Sequence, residues 1–256
     1  LYGVARSAKA LRAYTRGYIL MMKLTLAYLY PREMNTYGDR GNVICLQKRL
    51  EWRGYKLDIV EHQPGDKLPV QVDMVFMGGG QDSGQAVIDT DFKRVAPWLR
   101  ELAEANVPML TICGAYQLFG HSFEMLDGSE LQGIGILDVT TRAQTARLIG
   151  NLHIETEDFG TIIGFENHSG RTYLGPRAEP LGRVTMGAGN NGEDKTEGTR
   201  YRNIIGTYSH GPVLPKNPRL ADWLIGRMPG IMSTKLEPLD DPYIDAARAS
   251  AGARPR

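Results

Sequence analysis

Apolar and polar positions in the first half of the chain form short apolar runs separated by longer segments with helical spacing. Apolar runs of the length of buried strands occupy residues 24–29, 55–60, 72–77 and 108–112. Helical spacing recurs over residues 43–50 and 92–105, and Gly54 marks the end of the first helix. Strands separated by helices imply right-handed βαβ units. The pattern therefore predicts an α/β domain, with a mainly parallel sheet flanked by helices.

The pattern changes after about Leu131, where shorter apolar runs alternate with turns rich in Gly and Asn. Strands are predicted at residues 133–139, 148–155, 161–165 and 203–208, and a last helix at residues 220–228. Residues 164–170 are mostly polar and are predicted as a loop. The second half is interpreted as a β-rich elaboration of the same domain.

The two ends of the chain differ from the domain between them. Residues 1–21 carry four basic side chains and no acid, a composition shared by transit peptides and membrane-surface helices. An extension or vector-derived segment upstream of a natural start at Met21 or Met22 is the favoured interpretation. Residues 22–235 are predicted as the domain. Residues 236–256 are predicted as a tail that is loose beyond Asp240, because it lacks periodicity.

Composition narrows the class of protein but not its chemistry. With 42% hydrophobic and 23% charged residues, the 256-residue chain is typical of a globular protein with a substantial core. A net charge of +1 gives no electrostatic reason to expect a nucleic-acid partner, and no apolar run approaches the ~20 residues that span a bilayer. Two cysteines argue against a disulfide scaffold and favour a reducing, cytoplasmic location.

Cys113 is the candidate nucleophile. It directly follows a predicted strand and precedes two small residues, Gly114 and Ala115, which allow a sharp turn into a helix. Such a turn exposes a side chain at the carboxyl edge of the sheet, and the amino end of the helix favours the reactive thiolate. The alternative is a buried structural cysteine, and Cys45 fits that description because it lies within an amphipathic helix.

A nucleophilic cysteine needs a base, and the chain has five histidines. His62 and His153 lie in or beside strands and are interpreted as structural, while His121 ends a helix, where a cation is favourable. His210 and His168 remain as candidate bases. His210 is favoured because it stands at the carboxyl end of a predicted strand, on the edge where open α/β sheets bind ligands.

Three glycines, Gly78, Gly79 and Gly80, directly follow the predicted strand at residues 72–77. Glycine allows close approach of the backbone, so these N–H groups can point into a site and form an oxyanion hole. A plain flexible loop or a phosphate nest is the alternative. The next residues lack the Gly-Lys-Ser/Thr of a nucleotide-binding loop, which argues against a P-loop. No cofactor and no metal are predicted.

Taken in order, these motifs resemble the class I glutamine amidotransferases, and within them the branch that includes the amidotransferase domains of cobyric and cobyrinic acid synthases. The resemblance is most detailed with the GatD-type glutaminase subunits of lipid II isoglutaminyl synthases and runs from about Leu24 to Met228. It implies a flavodoxin-like fold. The strings that carry it are Tyr30-Pro-Arg-Glu-Met-Asn-Thr-Tyr-Gly-Asp-Arg-Gly-Asn42, Gly78-Gly-Gly-Gln-Asp82, Cys113-Gly-Ala-Tyr-Gln117, Gly164-Phe-Glu-Asn-His168 and Tyr208-Ser-His-Gly211.

The resemblance implies a reaction and the residues that carry it out. Cys113 would attack the side-chain carboxamide of L-glutamine, with His210 as the base, to give a thioester and ammonia. The backbone N–H groups at Gly79, Gly80 and Gly114 would hold the oxyanion.

Two further residues match positions that contact glutamine in the family. Gln117 follows the nucleophile by four residues. Arg147 matches an arginine that recognises the substrate, and a guanidinium suits the α-carboxylate. The alternative for Arg147 is a surface arginine at the edge of a sheet.

The resemblance also implies a partner. Ammonia would pass to a MurT-like Mur-ligase homologue in a heterodimer, which uses ATP to amidate D-glutamate in the lipid II stem peptide. This chain has no ATP motif of its own. The alternatives are a subunit of a cobyric- or cobyrinic-acid-type synthase, a catalytically silent interaction subunit, and a general cysteine hydrolase.

The chain departs from the typical triad enzyme at three positions. Thr111 and Ala115 replace glycines on either side of the nucleophile, and Pro212 replaces the glutamate two residues after the histidine. The sequence is therefore interpreted as a Cys–His dyad with slow activity in the absence of its partner. Whether an acid such as Glu166, or an amide, orients His210 is left open.

Overall fold

The computed structural model describes residues 23–232, 234–240 and 242–253 of the chain. Its first half consists of strands and helices in the order β1 (Lys23–Leu29), α1 (Arg40–Glu51), β2 (Lys56–His62), β3 (Met74–Met77), α2 (Asp82–Glu104), β4 (Met109–Ile112) and α3 (Gly114–Phe119). A helix separates successive strands except between β2 and β3. A 3₁₀ turn, Thr36–Gly38, precedes α1. The predicted extension, residues 1–21, lies outside the described residues.

The second half is rich in strands, as its sequence predicts. They are β5 (Ser122–Glu124), β6 (Glu130–Gln132), β7 (Val139–Thr156), β8 (Gly160–Leu174), β9 (Gly182–Met186), β10 (Thr196–Glu197), β11 (Thr199–Tyr201) and β12 (Ile204–Thr207). Three helices follow, α4 (Val213–Lys216), α5 (Pro218–Ile225) and α6 (Pro242–Gly252). None of the helices in the described part of the chain has the length and hydropathy needed to cross a bilayer.

A six-stranded sheet with the order β11-β12-β4-β3-β1-β2 forms the centre of the domain. All neighbours in it are parallel except β11 and β12. The predicted mainly parallel α/β sheet is therefore confirmed. Because β3, β4 and β12 are adjacent and parallel, the residues that follow them meet at one edge. Those residues are the three glycines, Cys113 and His210.

Apolar side chains cover both faces of this sheet. In β1, Leu24 and Leu26 belong to one buried cluster, which includes residues of α1 and α5, while Ala27 and Leu29 belong to a second, which includes residues of α2 and α3. Successive side chains of a strand point to opposite faces, so a strand buried on both sides is a continuous apolar run. This explains why β1, β3 and β4 were recognisable in the sequence.

The other sheet is built around a long hairpin. Its strand order is β10-β9-β7-β5-β6, and β8 pairs with β7 along nearly its whole length. The register of this pair shifts between Ala143 and Leu148, and the exposed middle of β7, with Arg147, lies at this irregularity. The β-rich elaboration thus places one arm beside the edge of the main sheet that carries Cys113.

Three predicted elements differ from the structure. Helix α2 begins at Asp82, ten positions before the predicted residue 92, directly after the glycines. Residues 164–170 are part of β8, not a loop. Residues 133–139 form no strand before Val139, because their N–H groups bond to carbonyls at the end of α3, such as those of Leu118 and Phe119. For residues 133–139, hydrogen bonds to a neighbouring segment override the local preference for a strand.

The tail is also different from its prediction. Residues 242–252 form helix α6, whereas the sequence predicts a loose segment beyond Asp240. Arg248 attaches this helix to the domain: its guanidinium donates to the carbonyl oxygens of Lys216 and Thr161 at 2.6 and 2.8 Å and to Oδ1 of Asn217 at 3.0 Å. A single docked arginine gives no periodic signal, which is why the pattern did not reveal the helix.

Candidate active site

Cys113 stands at a strained turn between β4 and α3. Its φ and ψ are +52° and −105°, a region that side chains other than glycine rarely adopt. The N–H of Cys113 donates to the carbonyl of Thr207 at 2.8 Å, which anchors the turn to β12. A Cβ at Gly114 would lie 2.9 Å from the carbonyl oxygen of Gly80, so only glycine fits after the cysteine. The structure thus gives Cys113 the geometry of an exposed nucleophile.

His210 is brought to the nucleophile from β12. It is fully buried, and its backbone forms an isolated bridge with Phe165 of β8, with an N–H to O distance of 2.7 Å. Gly79 lies between it and the cysteine. A Cβ built there would be 2.7 Å from Cε1 of His210 and 3.3 Å from Cβ of Cys113. The two predicted catalytic residues therefore converge over a glycine.

A third residue, Asp39, completes this cluster and was missed in the sequence. It immediately precedes α1 and is fully buried. Its Oδ2 accepts the N–H of Gly79 at 2.7 Å and lies 3.6 Å from Nδ1 of His210. No sequence signal distinguishes this aspartate from a helix cap, yet its side chain makes no capping hydrogen bond.

The charges around His210 favour its protonated form. Burial lowers the pKa of His210, but the negative charges of Cys113 and Asp39 outweigh burial and raise it to about 10. An imidazolium beside a sulfur is the arrangement that supports a thiolate nucleophile.

The predicted oxyanion donors are not equivalent. The N–H of Gly79 is already bound to Asp39, so it is not free to hold a developing oxyanion. Gly80 and Gly114 are adjacent: a Cβ on Gly114 would lie 3.1 Å from the nitrogen of Gly80. Gly114 is the first residue of α3, where helices leave N–H groups without an intrahelical partner. Gly80 and Gly114 therefore stay candidates for the oxyanion hole, while the absence of a side chain at Gly79 leaves space for His210.

A cavity of about 430 Å³ opens beside the nucleophile. It brings together Cys113 and the predicted binding residues Gly80, Gln117 and Arg147. Its lining consists of Thr36, Tyr37, Gly80, Gln81, Ser83, Gln85, Cys113, Gln117, Arg147, Asn167, His168 and Ser169. The volume is in the range of small-molecule sites.

Arg147 is held at the wall of this cavity by Asn167. Its Nε donates to Oδ1 of Asn167 at 2.7 Å, and its Nη2 donates to the carbonyl oxygen of Asn167 at 2.8 Å. The amide of Asn167 donates in turn to the hydroxyl of Tyr37 at 2.6 Å. The Tyr37 ring packs edge-on against the ring of His210, with 5.0 Å between centroids. The predicted guanidinium is thus placed in the cavity and tied to the catalytic pair.

Gln117 lines the cavity, but its own amide is engaged. Its Oε1 accepts from Nε2 of Gln85 at 3.2 Å, and its Nε2 donates to the hydroxyl of Tyr208 at 3.1 Å. Oε1 of Gln85 is buried without a partner among the described residues. Gln85 was missed because the predicted start of helix α2 lay after it.

The alternative base and the alternative orienting acid have other partners. His168 is in β8, stacks on Tyr208 at 3.6 Å between ring centroids, and bonds through Nδ1 to the carbonyl of Gly170. Burial lowers its pKa. Glu166 accepts the N–H groups of Ala188 and Gly189 at 2.6 and 2.8 Å. Neither residue takes the place of His210 or Asp39.

Cys45, His62 and His121 lie outside the cavity. Burial raises the pKa of Cys45 to about 11, so it stays a neutral thiol. His62 bonds to Asp91 at 2.9 Å, and His121 bonds to Asp138 at 2.7 Å. Among the described residues, no cluster of three or more potential ligands could hold a metal ion.

Comparisons with known proteins identify similar domains. Residues 25–218 match the family model for the CobB/CobQ-like glutamine amidotransferase domain. Over 206 residues the chain is 44% identical to a Staphylococcus aureus (strain N315) protein named lipid II isoglutaminyl synthase (glutamine-hydrolyzing) subunit GatD, covering 80% of this chain and 84% of that protein. A Streptococcus pneumoniae (strain ATCC BAA-255 / R6) protein of the same name is 40% identical, covering 79% of each.

Two more distant similarities concern the domain and its fold. The cobyric acid synthase of Pelotomaculum thermopropionicum is 29% identical over 54% of this chain and 29% of that protein. Among solved structures, one titled PurLQS from Thermotoga maritima has a TM-score of 0.56 at 15% identity, covering 80% of this chain and 98% of that chain. The latter similarity concerns the fold alone.

Proposed function

The chain belongs to the family of CobB/CobQ-like glutamine amidotransferases, and we propose that it hydrolyses L-glutamine through a thioester on Cys113, with His210 as acid and base. The observation that carries the proposal is the convergence of the two residues. Cys113 stands at a strained strand-to-helix turn and lines the cavity that also contains Arg147. Fully buried His210 lies beside Gly79, the glycine that Cys113 also approaches.

The first half-reaction forms the thioester. The Cys113 thiolate attacks the carboxamide carbon of glutamine, and the carbonyl oxygen takes up the negative charge. The N–H groups of Gly80 and Gly114 stabilise that oxyanion, an effect worth about 3 kcal/mol for each donor in comparable sites. As the tetrahedral intermediate collapses, the His210 imidazolium gives its proton to the nitrogen, the C–N bond breaks, and ammonia leaves.

The second half-reaction releases glutamate. Neutral His210 takes a proton from water, and the resulting hydroxide attacks the thioester carbon. The C–S bond breaks, Cys113 returns as a thiolate, and His210 is again protonated. Glutamine and water are thus converted into glutamate and ammonia, with no other reactant.

Recognition of the substrate is assigned to the polar wall of the cavity. Arg147 has Asn167 on two of its donors and presents the rest of its guanidinium to the α-carboxylate of glutamine. Gln85 and Gln117 have a different role from that of Arg147. The side-chain oxygen Oε1 of Gln85 is an acceptor without a partner among the described residues, and Gln117 holds the Gln85 amide in position by accepting from its Nε2. Together these residues would select a ligand that carries both a carboxylate, for Arg147, and an N–H donor, for Gln85.

We propose that the ammonia serves an ATP-dependent Mur-ligase homologue of the MurT type, which forms a heterodimer with this chain in the cytoplasm. The acceptor would be D-glutamate in the lipid II stem peptide, an amidation in peptidoglycan synthesis. This proposal is supported by two relatives that carry the name of that synthase and match about four fifths of the chain at 40 and 44% identity. The match to cobyric acid synthase has a lower identity, 29%, and covers 54% of this chain.

Glutamate release from L-glutamine by the purified chain, alone and with the Mur-ligase homologue, tests both levels of the proposal. We expect slow release alone, a higher rate with the partner, and loss of activity in Cys113→Ala and His210→Ala. The matched controls are Cys45→Ala and His121→Ala, which change the same residue types at sites outside the cavity. Equal release by wild type and the two active-site variants would refute the glutaminase mechanism.

A further inference from the structure

The Nδ1 side of His210 faces an acid that comes from the amino-terminal end of α1. We infer that Asp39 is the positioning residue of the catalytic pair, holding the His210 ring and its charge in place for proton transfer to the leaving ammonia. This inference rests on the proposed function. In its favour, Pro212 occupies the position two residues after the histidine, where the typical triad enzyme has a glutamate, so that position supplies no carboxylate to His210.

The geometry limits which carboxylate can take this role. Asp39 and His210 are both fully buried, with 3.6 Å between Oδ2 and Nδ1. This distance is longer than a hydrogen bond, and catalytic hydrogen bonds often tighten when substrate binds. The other buried acids of the region are occupied: Glu166 by the backbone at Ala188, and Glu197 by the N–H of Tyr208.

Asp39 also connects the base to the glycine loop. Its Oδ2 accepts the N–H of Gly79, while Oδ1 has no partner among the described residues and is available to the histidine. A Cβ at Gly78 would approach Cβ of Asp39 to 2.9 Å, so the glycines are what let the carboxylate reach this depth. One side chain therefore fixes both the loop before Gly80 and the ring of the base.

Several groups face His210 and set its protonation together. The sulfur of Cys113 and the carboxylate of Asp39 are the negative groups beside the ring, and the Tyr37 ring packs against it. The ammonium of Lys216 donates to the carbonyl oxygen of His210 at 3.3 Å. Buried Glu197, in β10, adds a weaker electrostatic coupling to His210. Removing the charge of Asp39 should therefore make the imidazolium easier to deprotonate.

Asp39→Asn tests the inference through the pH dependence of kcat/KM for glutamine. In wild type the alkaline limit should lie near pH 10, since burial lowers the pKa of His210 but the charges of Cys113 and Asp39 raise it to about 10. In Asp39→Asn we expect this limit to move down by about one unit or more, with kcat/KM at pH 8 lowered about 10- to 100-fold and KM nearly unchanged. Asp39→Glu should restore the limit.

Asp73→Asn is the matched control. Asp73 is also buried, and its Oδ2 also accepts a backbone N–H, that of Thr25 at 2.8 Å, but it precedes β3 at the opposite end of the strand from the glycines. It should keep the wild-type pH profile. If Asp39→Asn does not fold, judged by circular dichroism, Asp39→Ser takes its place, because serine is smaller and can still accept from Gly79.

A second readout separates this inference from the proposed function. Titration of the imidazole nitrogens by NMR, with His210→Ala to assign the signal, follows His210 directly and needs no substrate. A lower midpoint in Asp39→Asn but not in Asp73→Asn supports the inference even if wild type releases no glutamate, in which case the glutaminase proposal alone fails. An unchanged midpoint and an unchanged alkaline limit would overturn the role of Asp39 while leaving the glutaminase proposal intact.

Discussion

Gly79 shows how the active site depends on the size of one residue. A Cβ at this position would lie 2.7 Å from Cε1 of His210, closer than such atoms approach, so the ring would have to move. For Gly79→Ala we expect a loss of glutaminase activity of about 100-fold, the scale of a misplacement of ~1 Å. Gly226→Ala, at the end of α5, is the control. Wild-type kcat/KM in Gly79→Ala would show that the ring is not confined there.

Arg147 can be tested as the group that binds the α-carboxylate of glutamine. Arg147→Met should raise KM by about 10- to 100-fold with a smaller change in kcat, because it removes a charged hydrogen-bond donor from substrate binding. Steady-state kinetics of glutamate release measures both constants. Arg142→Met, on the same strand and paired with Glu124 at the surface, should change neither. If KM stays at the wild-type value in Arg147→Met, Arg147 does not bind glutamine and is only a surface arginine at the edge of a sheet.

At the scale of elements, α6 depends on Arg248. The guanidinium bonds to backbone oxygens at the α4–α5 junction and in β8, two segments adjacent to His210. Arg248→Met should lower the free energy of unfolding by about 1–3 kcal/mol, because it removes the donor from partly buried carbonyl oxygens. Urea denaturation measures this change. Tyr243→Ala removes an exposed side chain of the same helix and should have almost no effect. Equal losses in both variants would contradict the assignment to Arg248.

At the scale of the whole molecule, stability should fall as pH rises through neutrality, and buried Glu197 is one cause. Burial raises its pKa from 4.5 to about 8, because hydrogen bonds from Tyr208 and Thr207 do not offset the loss of solvation. Between these two pH values the folded protein holds a proton that the unfolded chain has lost. The free energy of unfolding therefore decreases as pH rises across this window.

Glu197→Gln isolates this contribution, because glutamine stays neutral at every pH. We expect the variant to lose less stability than wild type between about pH 5 and pH 9, measured as the difference in urea unfolding free energy. Groups that do not interact with Glu197 titrate alike in both proteins and cancel in the comparison. Parallel curves for the two proteins would show that Glu197 is already ionised in the folded state at neutral pH.

The sequence by itself determined the parallel sheet and the position of Cys113, the proposed nucleophile, at the end of one of its strands. Both are local or periodic features: apolar runs in β1, β3 and β4 reflect burial on two faces, and a cysteine between a strand and two small residues reflects a sharp turn. The predicted placement of Cys113 and His210 on one edge followed from these features and from the rule that parallel strands align their carboxyl ends.

Only the tertiary structure decided what surrounds that pair. Asp39 reaches His210, Tyr37 reaches Asn167, and Arg248 reaches Thr161 because strand order, hairpin register and helix docking bring distant segments together. Tertiary packing also explains why the N–H of Gly79 donates to Asp39 and why residues 242–252 form a helix that docks on the domain. Local pattern reports whether a residue is buried and in which element. It does not report the partner of a buried polar group, because that partner is set by the packing of the whole domain.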